Sequence, residues 1–330
     1  MKAHVKKDFT SPIWLANPHI QSILPNAPLR RAMVLRRARP LCERSESVVL
    51  DCGRGVRLGG YYAEPSRGAE RLVMLLHGWE GSADSQYLLS IGQYLLAHGY
   101  AVFRLNFRDH GATHHLNSGL FHSCLIDEVV GAVAAVQKQH SEKSLSMVGY
   151  SLGGNFALRV AARAPDHALR IRQVVAVCPV LDPARTLRAL EVGKSMYRRY
   201  FVHKWRSSLS QKCAAWPSLY DRADFLKDAS LTEMTEALVL KHAGFSDLQS
   251  YLNGYALIGD ALQSLRVRSR IIAALDDPII PGADLERLAQ PQALTITPVA
   301  QGGHCGFFSN FAGPSWADEY IRRQLNAAHA

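Results

Sequence analysis

SLSMVGYSLGGNFALRVAARA, residues 144–164, puts a lone serine between glycines where a strand-like run gives way to a helical one. Residues 145–148 end in apolar side chains, as a short buried strand does. Residues 155–164 carry Phe156, Val160 and several alanines at helical spacing. The turn between them, Gly149-Tyr150-Ser151-Leu152-Gly153, reads G-x-S-x-G. A serine there sits on a sharp strand-to-helix turn, and small residues flank it because side chains would collide with the neighbouring strand and helix. Its hydroxyl then projects from the carboxyl end of a sheet, with the first N–H groups of the helix facing whatever binds it.

Serine at neutral pH is a weak nucleophile unless a base takes its proton and a third group orients that base. Downstream of Ser151 stand IIAALDDPIIP (271–281) and VAQGGHCGFF (299–308). The first is an apolar strand ending in two carboxylates and a proline-bounded turn, a rigid mount for an orienting acid. Asp277, followed by Pro-Ile-Ile-Pro, is favoured over Asp276, although an aspartate before proline is also a common turn residue. The second places His304 in a glycine-rich loop after the last strand, where it can approach Ser151 as the base. Upstream, residues 72–76 read as a strand followed by His77-Gly78-Trp79-Glu80-Gly81, an H-G-x-x-G loop. Such a loop supplies backbone donors for a tetrahedral oxyanion, here the N–H groups of Trp79 and Leu152. His77, Gly78, Gly149 and Gly153 are supporting residues, with His77 bracing the loop rather than reacting.

Working outward, strand patterns fall at 47–50, 56–62, 72–76, 101–106, 144–148, 174–177, 270–275 and 294–299, and helical patterns at 85–97, 125–139, 155–164, 283–288 and 314–325. This alternation predicts an α/β fold, a mostly parallel eight-stranded sheet flanked by helices, antiparallel at its start and doubly wound thereafter. Residues 181–265 break the rhythm with helix-like sequence holding ten aromatics, from Tyr197 to Tyr255. They predict a helical cap over the carboxyl end of the sheet, where open α/β sheets bind ligands. The expected organisation is an N-terminal arm (1–45), a core (46–180 and 266–330) and the cap (181–265).

With 48% hydrophobic and 20% charged residues, the 330-residue chain can bury a sizeable core. Six cysteines without a C-x-x-C pair suit reduced thiols and a cytoplasmic location. No apolar run approaches a spanning length, and the basic start lacks an apolar signal core. The net charge of +10 is concentrated early: residues 1–45 hold nine Lys and Arg against Asp8 and Glu43. The favoured reading is a solvated face of an extended segment wrapping the domain. Nucleic acid is not an expected partner, because no base-stacking aromatics interleave the charges. A weak peripheral contact of the arm with an anionic membrane is the sharper alternative.

Two other histidine patterns compete for function. His110, His114 and His115 beside Asp109 have the residue types of a metal site, but Gly111 and the local composition read as loop, so no metal is expected. His122-x-x-x-x-Asp127 has the spacing of an acyltransferase box, yet Asp127 opens a helix, where a carboxylate favours the dipole.

The motifs together resemble the α/β-hydrolase fold and, more narrowly, YheT-type hydrolases, related to eukaryotic abhydrolase-domain lipases and yeast medium-chain ethyl ester synthase/esterases. The narrower likeness rests on residues 17–25, NPHIQSILP, similar to the N-P-H-x-Q-T-x-x-P opening of that group. HGWEGS from His77, NFR from Asn106, GYSLGGN from Gly149, DDPIIP from Asp276 and GGHCGF from Gly302 extend it. The resemblance implies Ser151 as nucleophile, Asp277 as orienting acid and His304 as base. It also implies a carboxylesterase-like activity on small-molecule acyl esters of short to medium chain, without a cofactor. Acyl transfer to an alcohol at the same site, or a catalytically silent apolar-ligand-binding protein, are the alternatives. The sequence departs from the group at residues 109–115, where a glycine-rich run is usual, and at Cys124, which replaces a usual glycine; both changes bear on the pocket wall.

Overall fold

The computed structural model of the protein describes residues 9–221, 225 and 229–327. Eight strands form one sheet: β1 (Glu46–Asp51), β2 (Arg57–Ala63), β3 (Arg71–Leu76), β4 (Ala101–Leu105), β5 (Ser144–Tyr150), β6 (Ile171–Val177), β7 (Arg268–Ala274) and β8 (Leu294–Val299). Their order is β1-β2-β4-β3-β5-β6-β7-β8. Only the β1/β2 and β2/β4 pairs are antiparallel. This is the α/β architecture expected from the alternation of strand and helix patterns.

Three helices precede the sheet: α1 (Pro18–Ile23), α2 (Pro28–Arg37) and α3 (Arg39–Glu43). Between strands run α4 (Gln86–Ala97), α5 (Ile126–Gln139) and α6 (Leu152–Arg163); α7 (Pro183–Val192), α8 (Ser195–Ala215), α9 (Leu231–His242) and α10 (Leu248–Asn253) follow β6, and α11 (Trp316–Ala327) ends the described chain. The central strands are buried on both faces, which is why they read as nearly unbroken apolar runs. Along β3, Leu72, Met74 and Leu76 face a core shared with α5 and α6, whereas Val73 and Leu75 face one shared with α4 and α11. The period-two alternation thus divides one strand between two cores.

The N-terminal segment differs from the expected extended arm. It is helical, each helix has proline at its first or second position, and Asn17 caps α1 by accepting from the N–H groups of His19 and Ile20. Val34, Ala38 and Leu41 belong to the α4/α11 core. Arg30 is 2% exposed, with its guanidinium 3.8 Å above the Phe308 ring and its donors on the carbonyls of Phe311 and Gly313. Part of the basic excess therefore serves packing rather than a solvated face. Lys2, Lys6 and Lys7 lie outside the described residues. A second difference is at 283–288, where Gly282–Arg287 forms a 3-10 helix rather than an α-helix.

Candidate active site

Between β5 and α6 the chain turns on one residue. The strand runs through Tyr150 and the helix begins at Leu152, so Ser151 alone makes the elbow, at φ 52° and ψ −119°. That left-handed backbone is strained for a residue with a side chain. The flanking glycines are steric necessities. A Cβ at Gly149 would lie 2.2 Å from the Gly153 carbonyl oxygen, and one at Gly153 would lie 2.3 Å from the Leu76 carbonyl oxygen.

Loops after three strands converge on this hydroxyl. The His304 Nε2 stands 3.0 Å from Ser151 Oγ, and its Nδ1 stands 2.8 Å from Asp277 Oδ2. The other Asp277 oxygen accepts from the N–H groups of Ile279 and Ile280 at 2.8 and 3.0 Å, which fixes the carboxylate plane. A carboxylate only accepts, so Nδ1 carries the imidazole proton and Nε2 is left to accept from the serine. Asp276 has different work: its Oδ1 receives the Gly303 N–H at 2.9 Å and so helps shape the His304 loop.

On the facing loop, the Gly78 N–H donates to Tyr87 Oη and the Glu80 N–H to His110 Nε2. The amides of Trp79, between them, and of Leu152, at the start of α6, donate to no acceptor among the described residues. Gly78 is packed tightly here, since a Cβ would stand 3.2 Å from Ser151 Cβ. Fully buried His77 links two loops, with Nδ1 2.7 Å from the Gly78 carbonyl and Nε2 accepting from the Phe107 N–H at 3.2 Å. Burial drives its pKa down to about 4, so the ring is neutral and acts as a brace.

The NPHIQS stretch lies behind His304, a role that the spacing of its residues did not reveal. The Ser22 hydroxyl accepts the His304 N–H at 2.8 Å and donates to the Pro18 carbonyl at 2.7 Å. Fully buried Gln21 clamps the same loop: its amide nitrogen donates to the Phe308 carbonyl, the Leu15 carbonyl and Ser11 Oγ, and its oxygen accepts the Phe308 N–H. Loss of the Ser22 hydroxyl leaves a loop amide unpartnered, and a shift of about 1 Å in a reacting group can cost on the order of a hundredfold in rate. Ser22→Ala is therefore expected to lower kcat by roughly ten- to a hundredfold, with a drop in Tm of a few degrees. Unchanged kcat would show that the loop holds His304 without this contact.

His110 and His114, with Asp109, are engaged in other contacts. Asp109 pairs with Lys212 Nζ at 2.7 Å, His114 Nε2 meets Ser208 Oγ at 3.0 Å, and His110 is bound by backbone on both nitrogens. Asp127 lies in the first turn of α5, paired with Arg163 at 2.8 Å. A cavity of about 620 Å³ opens above Ser151, roofed by α8 through Tyr197, Phe201 and Lys204. The Trp79 ring stacks on Phe201 at 5.1 Å and meets Trp205 edge-on at 5.2 Å, which binds the roof to the 77–81 loop.

Residues 71–311 match the family model described as alpha/beta hydrolase fold. The chain is 22% identical over 241 residues to the putative esterase YheT of Escherichia coli (strain K12), covering 71% of this chain and 70% of that protein. It is 23% identical over 283 residues to monoacylglycerol lipase ABHD2 of Danio rerio, covering 79% and 66%. Among solved structures it is similar to the Pyrococcus furiosus esterase Pf2001, at 15% identity and a TM-score of 0.57, with 86% of this chain and 92% of that chain covered. The family match spans the 77–81 loop, the serine elbow, the aspartate turn and the histidine loop in one stretch, and by it the chain belongs to the α/β-hydrolase fold family.

Proposed function

We propose that this protein hydrolyses carboxylic esters through an acyl-enzyme on Ser151. The observation that carries the reading is the chain of contacts from Ser151 Oγ through His304 to Asp277, facing two unoccupied amides. Ser151 Oγ attacks the acyl carbon as its proton passes to His304 Nε2, and the carbonyl oxygen, now anionic, is received by the Trp79 and Leu152 N–H groups. The bond to the alcohol oxygen breaks as His304 returns the proton to the leaving alcohol. Water then attacks the acyl-serine, giving its proton to His304, and collapse releases the acid and restores the serine hydroxyl. Asp277 stabilises the imidazolium in both halves. The names of the relatives above, an esterase and a lipase, support the same chemistry. Hydrolysis of p-nitrophenyl esters from acetate to palmitate should show an optimum in the short to medium range that depends on Ser151. Flat, Ser151-independent rates would sink the proposal.

The mouth of the cavity favours substrate delivered from an anionic lipid surface. Nine of the 13 exposed large hydrophobics among the described residues lie in residues 13–35 and 192–200, two segments tied together by His19 Nδ1 and Tyr197 Oη at 2.9 Å. Ile23, Met196 and Tyr200 line the cavity together with the cations Arg31 and Lys204, and exposed Val192, Lys194 and Arg199 fall in the same stretch of chain as Met196 and Tyr200. Exposed apolar side chains interspersed with cations suit an anionic interface, each cation contributing about 1 kcal/mol near the surface. No described helix is long and apolar enough to cross a membrane, so contact would be peripheral. The protein should sediment with phosphatidylglycerol vesicles and release as salt rises, and Ile20→Glu with Val192→Glu should reduce the bound fraction several-fold. Equal sedimentation with phosphatidylcholine vesicles would remove the electrostatic part of this reading.

A further inference from the structure

The mechanism uses the Trp79 amide but leaves its neighbour Glu80 without a task. The Glu80 side chain is 6% exposed and lines the cavity over Ser151. Its backbone is left-handed, φ 54°, a conformation glycine would adopt without steric strain. A side chain is therefore held at this point of the oxyanion loop against a local steric penalty.

The nearest titratable group is no partner. His110 Nε2 lies 3.9 Å from Glu80 Oε1, but His110 Nδ1 stands 2.7 Å from the Arg108 carbonyl oxygen, which can only accept. The one proton of the neutral ring is thus on Nδ1. Nε2 presents a lone pair, already receiving the Glu80 N–H at 3.3 Å. Burial pushes the His110 pKa well down, so the ring stays neutral. Asp109 is engaged by Lys212, and the Glu80 carboxyl makes no hydrogen bond among the described residues. The other groups that face it come from α8, exposed Lys204 and the Tyr200 phenol. Desolvation outweighs the Lys204 attraction and raises the carboxyl to about pH 8, so at neutral pH it carries a proton.

Ser207 and Gln211 of α8 line the same cavity and offer a hydroxyl and an amide that both donate and accept, alongside a neutral carboxyl that does the same, whereas the Ser208 hydroxyl is engaged by the Asp109 carbonyl and His114. Apolar Leu190, Val180 and Ile279 line it elsewhere. A hydroxyl is the group such a mixed lining matches; an alkyl chain would leave the buried carboxyl unpaired.

We infer that Glu80 is a specificity-determining residue that hydrogen-bonds a hydroxyl carried by the ester substrate close to the scissile carbonyl. The inference rests on the ester-hydrolase reading and names the substrate class for that site. The hydroxyl can belong to the acyl or to the alcohol half, and isosteric esters separate the two. Propyl butyrate against 2-hydroxyethyl butyrate tests the alcohol half, and methyl 3-methylbutyrate against methyl 3-hydroxybutyrate the acyl half.

Wild type should prefer the hydroxylated member of one pair by at least about tenfold in kcat/KM. Glu80→Met should abolish that preference while still turning over its isostere, and Glu80→Gln should retain it. A preference that is the same in wild type and Glu80→Met, both folded by circular dichroism, would overturn the inference alone. Absence of Ser151-dependent turnover on all four esters would overturn it together with the ester-hydrolase reading.

Discussion

Ser151→Ala is expected to lower kcat on p-nitrophenyl esters by about four to six orders of magnitude, with KM nearly unchanged. Ser151 Oγ stands 3.0 Å from His304 Nε2, and its removal takes away the hydroxyl that this imidazole faces. The Trp79 and Leu152 amides proposed to receive the oxyanion survive the change, so a small residual rate from water attack is expected. Stability should not suffer, since the hydroxyl lies at the open cavity and alanine fits the same backbone no worse than serine. Covalent labelling by a fluorophosphonate should disappear with the activity. A folded variant that still turned over, or still took the label, would move the nucleophile elsewhere.

Asp277→Asn should cost about four orders of magnitude in kcat while the fold persists. The reason is the tautomer. An amide nitrogen facing His304 Nδ1 donates to it, which forces the ring proton onto Nε2, where it blocks acceptance from Ser151. The adjacent carboxylate gives an internal comparison. Asp276 Oδ1 only accepts a loop N–H, and an asparagine oxygen can do the same, so Asp276→Asn should lose about tenfold or less. Measuring both variants at one pH checks the assignment directly. If Asp276→Asn proved the more damaging, the orienting role would pass to Asp276.

Local patterns in the chain were enough for the sheet and the elbow. The nearly unbroken apolar run of β3, the glycines around Ser151, the proline-bounded aspartate turn and the glycine-rich histidine loop are all short-range features. Each has a local steric or hydrogen-bonding cause that the residues themselves state. Other properties arise only from segments remote in sequence. Proline at the starts of α1 to α3 is compatible with helix or extended chain, and the outcome was decided by Val34 and Leu41 finding the α4/α11 core.

Ser22 and Gln21 illustrate the same limit at the site. Their contacts with His304 and Phe308 span 282 to 287 residues of sequence, and no periodicity or spacing encodes a partner that distant. Glu80 is a further case, since a carboxylate in a polar loop reads as solvated until α8 and the 109–114 loop close over it. The sequence by itself determined which residues could do the chemistry, because turn sterics and strand periodicity are local. Only the tertiary structure decided what holds them and what charge they carry, because burial and hydrogen-bond partners depend on the whole chain packing together.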